Sequence, residues 1–208
     1  RTLEPRGDEP LILYTDASGQ PRNGLGAVLV DGHSIRWTKS TCPEYLLDSL
    51  TSRATQINPM EVCGVIRGLW TFQREIRGRR LLVFVDNQAA LGAIKKGRSP
   101  VHDFNELVFY TRFVCTDHSV EPVFIWVPSE LNWSDAPSRG VPPLSGDWVP
   151  PVTRWQLLAA SLPGERGSRR SPRARTDPLA ASFKVPLVPF PTAVLSHSPN
   201  HVRSPVLS

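Results

Sequence analysis

Three short apolar runs near the start of the chain are separated by gaps too short for anything but antiparallel pairing: LILYT at 11–15, GAVLV at 26–30 and SIRWT at 34–38. Parallel neighbours need a crossover of roughly a dozen residues or more. The gaps instead hold turn residues, Ser18, Gly19, Gln20, Pro21 and Gly24 in the first and Asp31 with Gly32 in the second. A three-stranded antiparallel meander is the expectation.

Beyond the meander, residues 41–57 carry no clear period. A helix start follows, with Asn58 as N-cap, Pro59 at the first helical position and Glu61 three residues after the cap. Val62, Val65, Ile66, Leu69, Phe72 and Ile76 recur at helical spacing and predict one core-facing stripe, ended by Gly78. LLVFV at 81–85 reads as a buried strand that stops at Asp86, residues 87–94 as a short helix, 102–114 as a longer one, and VFIWV at 123–127 as the last strand. The order β-β-β-α-β-α-α-β predicts an α/β fold, with a mixed five-stranded sheet of three antiparallel and two parallel strands flanked by helices.

Charge and proline content divide the chain at about residue 140. Residues 1–139 hold 16 basic and 16 acidic side chains, so the net charge of +5 comes entirely from the remainder, which also holds 12 of the 21 prolines. A segment of that composition cannot bury enough apolar surface to offset its ordering entropy. Residues 10–140 are therefore expected to form the domain and 141–208 a Pro/Arg/Ser-rich linker and disordered tail, with Trp148 and Trp155 available to tack its start onto the domain. The arginines between 166 and 175 suit either a solvated spacer or electrostatic nucleic-acid contact. Cys42, Cys63 and Cys115 lie far apart and form no C-x-x-C, which argues against a disulfide framework or a zinc site. No apolar run approaches the roughly 20 residues that cross a bilayer. The chain opens at Arg1 without a signal-like segment and reads as a fragment or an excised domain, and its scattered cysteines suit a reducing, intracellular compartment, cytoplasm or nucleus.

Four acids stand where chemistry would want them. Asp16 and Asp86 each close an apolar strand, and ligands in open α/β sheets collect beyond the carboxyl ends of strands. Glu61 lies in a first helical turn, and Asp135 follows the last strand. Singly, each has a structural explanation. Asp16 and Asp86 suit turns, Glu61 completes a capping box with Asn58, and Asp135 can cap a short helix. Together at one crevice, four carboxylates repel one another and call for protons or hard divalent cations.

The segments around these acids resemble the ribonuclease H domain family. YTDAS at 14–18 with GLGAVL at 24–29 is similar to the family's opening hairpin, EVCG at 61–64 to its helix carrying the second acid, and VFVDNQAA at 83–90 to its fourth strand. WVP at 126–128, leading through Asn132 to Asp135, is similar to its final stretch. The likeness covers residues 11–139, and SDAPSR at 134–139 most resembles retroelement versions, particularly those of DIRS-type tyrosine-recombinase retrotransposons.

The resemblance implies a ribonuclease H-like fold and an endonuclease that cuts the RNA strand of RNA–DNA hybrids during retroelement reverse transcription. Asp16, Glu61, Asp86 and Asp135 would hold two Mg²⁺ ions, with Mn²⁺ able to substitute. Implied partners are the hybrid and an upstream reverse transcriptase domain of the same polyprotein, with no membrane. Ser18, Asn58, Asn87 and Gln88 are short polar candidates for contacts to the RNA 2′-hydroxyl, with turn formation and helix capping as the alternative role. One departure favours a second reading: many members carry a histidine shortly after W-V-P, where this chain has Ser129 and Glu130. That reading is a catalytically weak or inactive binding or connection module of a reverse transcriptase.

Overall fold

Residues 9–19, 23–152 and 154–159 are described by a computed structural model. The meander forms as expected, its strands longer than their apolar runs: β1 spans Leu11–Ser18, β2 Gly24–Asp31 and β3 Ser34–Thr41. A short helix α1, Glu44–Leu47, precedes the central helix α2, Ile57–Thr71. The chain kinks at Phe72 into α3, Gln73–Ile76, and Gly78, at φ +69°, turns it into β4, Arg80–Val85. Then come α4, Gln88–Lys96; α5, His102–Asp117; β5, Glu121–Trp126; a 3-10 turn at Ser129–Leu131; and α6, Asp135–Ser138.

The sheet runs β5-β4-β1-β2-β3-β6. Its middle is the antiparallel meander, and β4 and β5 add in parallel beside β1, the ribonuclease H-like arrangement expected from the sequence. The sheet has six strands rather than five. The sixth, β6 at Asp147–Trp148, pairs in parallel with the outer edge of β3, where Trp37 donates through Nε1 to the Gly146 carbonyl at 3.2 Å. A two-residue strand has no apolar period to betray it.

Helix α2 is buried along almost its whole length, from Pro59 to Thr71, rather than along one stripe. β1 and β2 lie against it on one side and α5 on another, and Trp70 meets Tyr110 of α5 edge-on at 5.5 Å. A further helix, α7 at Trp155–Ala159, sets the fully buried Trp155 edge-on against Trp70 at 5.1 Å and over the guanidinium of Arg67. Arg67, itself buried in α2, donates to the Val152 carbonyl. Residues 160–208, most of the stretch read as linker and tail, lie outside the described residues. All three cysteines are free and buried. Among the described residues no helix is long and apolar enough to cross a membrane.

Candidate metal centre

β1 and β4 are parallel neighbours whose register pairs Thr15 with Val85. The residue after each is an aspartate, so Asp16 and Asp86 meet side by side at the carboxyl end of the strand pair. Trp126 holds the end of β4 by donating from Nε1 to the Asp86 carbonyl at 3.0 Å. Glu61 arrives from α2, which approaches β1 closely because Gly64 faces the strand: a Cβ there would lie 3.0 Å from the Asp16 carbonyl oxygen. Glu61 precedes Gly64 by three residues and so shares its side of the helix. One carboxylate oxygen from each of Asp16, Glu61 and Asp86 lies within 4.8 Å of the other two.

The structural explanation for Glu61 does not hold. α2 begins at Ile57 with Gln56 as its cap residue and no side-chain cap bond, so Asn58 lies inside the helix and forms no capping box with Glu61. Glu61 is 4% exposed, accepts a hydrogen bond from the Ala17 backbone N–H, and leaves Oε2 buried without a partner. Burial first, then the charges of Asp16 and Asp86, push its pKa up to about 9. Asp16, 5% exposed, is raised to about 6, chiefly by burial and further by Asp86 and Asp135, against lowering by the Ser138 hydroxyl and Arg139. Three crowded acids, one with an unsatisfied buried oxygen, form an oxygen-only donor set suited to a hard divalent cation.

Asp135 reaches the same edge of the sheet through a different set of contacts. Asn132 donates from Nδ2 to the Thr15 carbonyl at 3.0 Å, while its Oδ1 accepts from the Ser134 hydroxyl at 2.6 Å. Ser18 donates to the Ser138 carbonyl at 2.8 Å. Gly24 and Gly26 let α6 lie directly on β2: a Cβ on Gly26 would stand 2.6 Å from the Ser134 carbonyl oxygen, and one on Gly24 would overlap that of Ser138. Asp135 is therefore near enough for its charge to be felt at Asp16, yet stands outside the group of three. Its carboxylate is engaged by Arg139, whose Nε lies 2.9 and 3.1 Å from the two oxygens.

The four candidate substrate contacts divide by what already occupies them. Ser18 is committed to α6. Asn87 caps α4, accepting from the Ala90 N–H at 2.9 Å, and donates from Nδ2 to Asn58 Oδ1 at 3.0 Å. That leaves Asn58 its own amide N–H groups, while Gln88 is exposed beside Asp86. Sequence reasoning overlooked the positioning work of Asn132, Ser134, Ser138 and the glycine pair. The N-x-S spacing at 132–134, which permits a local side-chain turn, was the available signal.

No protein-family model matches the chain, and no curated protein does. Among solved structures it is similar to RNase H1 of the halophilic archaeon Halobacterium salinarum NRC-1, at 17% identity over 63% of this chain and 96% of that one, with a TM-score of 0.48. It is similar also to LC11-RNase H1, solved in complex with an RNA/DNA hybrid, at 17% identity over 63% and 95% of the two chains and a TM-score of 0.48. An N-terminal RNase H domain from Mycobacterium tuberculosis matches at 18% identity over 63% and 91%, with a TM-score of 0.47. What the carboxylates can do is decided by their own geometry.

Proposed function

We propose that the chain is a divalent-metal-dependent endonuclease that hydrolyses the RNA strand of RNA–DNA hybrids. The observation that carries this reading is the convergence of Asp16, Glu61 and Asp86 within 4.8 Å, with a buried Glu61 oxygen that nothing satisfies. Such an arrangement is costly for a structural cluster and favourable for a cation site.

Asp16, Glu61 and Asp86 would hold one ion, and Asp135 would join Asp16 in holding a second, Mg²⁺ by the family resemblance with Mn²⁺ as substitute. When bound, two such ions activate water and stabilise charge on the departing 3′ oxygen of a phosphodiester. The chain's own groups supply the rest. Glu61 keeps its proton in the metal-free site and must release it on loading, so ion binding is coupled to proton release. Asn87 ties the start of α4 to Asn58 on α2 and so fixes two of the acid-bearing segments relative to each other. The amide N–H groups of Asn58 would donate, and the exposed amide of Gln88 would donate or accept, at a 2′-hydroxyl, the group that separates RNA from DNA.

The retroelement setting, with a reverse transcriptase domain upstream in the same polyprotein and an intracellular location, is supported by the resemblance of residues 134–139 alone. Cleavage of an end-labelled hybrid in Mg²⁺ or Mn²⁺, abolished by chelation and by Asp86→Asn, is the expected result. Equal cutting by Asp86→Asn would remove the reading. The alternative, a binding module without turnover, is favoured by the Arg139 pair on Asp135 and by Glu130 in place of the usual histidine. It predicts hybrid retention on a filter with no cleavage under any ion.

A further inference from the structure

Asp135 differs from the other three acids in what its carboxylate touches. Asp16, Glu61 and Asp86 face one another, whereas both oxygens of Asp135 face a guanidinium four residues along, on the residue that caps the end of the same short helix. Arg139 grips it with two nitrogens, Nε at 2.9 Å and Nη2 at 2.9 Å from the same oxygen, and lies close enough to Asp16 to lower that group's pKa. A cleft of about 590 Å³, lined by Ser18, Lys39, Thr41, Pro137 and Arg139 itself among others, opens there, so the guanidinium has open space into which to swing. Lys39 is held away from the acids, donating from Nζ to the Gly140 carbonyl at 2.6 Å.

Resting on the metal-centre reading, we propose that Arg139 is a latch on the fourth carboxylate. It withholds Asp135 from the centre, and the second divalent cation binds only by displacing it. Among the described residues no side-chain cation is bonded to Asp16, Glu61 or Asp86, so the ion they share has only the Glu61 proton to displace. The two binding steps should therefore differ in affinity, and the difference should lie largely in the latch. Removing the guanidinium frees Asp135 and also removes a positive charge from the approach of the second ion. A half-exposed ion pair is a modest interaction, so the gain is of a modest size. Arg139 is thus a positioning residue acting through Asp135, not a group that meets the reacting atoms.

The test is a Mn²⁺ titration of the whole chain followed by electron paramagnetic resonance, which counts bound ions without reference to turnover. In Arg139→Gln the weaker step should tighten roughly two- to five-fold while the tighter step stays put. Arg139→Lys, which keeps the charge, should fall between the two. Asp86→Asn should lose the tighter step. Two steps in the wild type with the weaker one unchanged, or loosened, in Arg139→Gln would overturn the latch and leave the metal centre standing. No bound Mn²⁺ in the wild type at millimolar ion would overturn both.

Discussion

Glu61 sits in an environment far from ordinary solution, and that departure has a measurable sign. Folded, it holds a proton up to about pH 9, whereas unfolded it releases one near its ordinary value of 4.5. The folded chain therefore binds more protons than the unfolded chain across that window, and stability falls as pH rises. Asp16, raised from 3.8 to about 6, acts in the same direction over a narrower and more acidic range. In chelator, urea unfolding at pH 5, 7 and 9 should show a steady loss, on the order of 1 kcal/mol per pH unit at most from Glu61. Glu61→Gln should flatten that slope above pH 6, since an amide has no proton to lose, while also abolishing hydrolysis. Saturating Mg²⁺ should flatten it in the wild type, because a bound cation replaces the proton. The sequence offered Glu61 both as a cap partner of Asn58 and as one of the clustered acids, and the helix start at Ile57 removes the first role.

At the scale of elements, the two aspartates were visible in the sequence because each follows an apolar run, although β1 continues past Asp16 to Ser18 through its pairing with β2. Their convergence was expected from the strand ends and the family resemblance, and what brings it about is a parallel register between segments some 70 residues apart, which nothing local encodes. The Gly24 and Gly26 pair was read as a turn signal and part of a hairpin, yet its decisive property is the missing Cβ under α6. Gly26→Ala should therefore drive α6 off β2, costing about 2–3 kcal/mol in unfolding experiments. The same change should reduce hybrid cleavage far more than it reduces binding of hybrid, because Asp135 rides on the displaced helix. Gly19→Ala, with nothing within 4 Å of the added carbon, serves as the neutral comparison. Equal effects of the two substitutions would count against a positioning role for the helix contact.

Across the whole described molecule, composition drew a boundary near residue 140 that packing does not share in detail. Val149, Val152, Trp155 and Leu158 pack with the core around α2, and Arg67 and Thr71 hydrogen-bond to Val152 from that helix. Of the two tryptophans that the sequence offered for tacking this segment onto the domain, Trp155 is buried against α2, whereas Trp148 stays half exposed. Trp155→Ala should cost about 3–5 kcal/mol, read as a lowered melting temperature, with the cavity opening against Trp70. A chain ended at residue 140 should be weaker still. The short pairing of β6 with β3 has a separate consequence for solution behaviour. It occupies part of a rim that would otherwise offer the bare amide and carbonyl groups of β3 to any passing strand, while the opposite rim, β5, has Pro122, which lacks an N–H to offer. Cutting the chain before Asp147 should uncover that rim, and concentrated samples should then scatter light as they stick together.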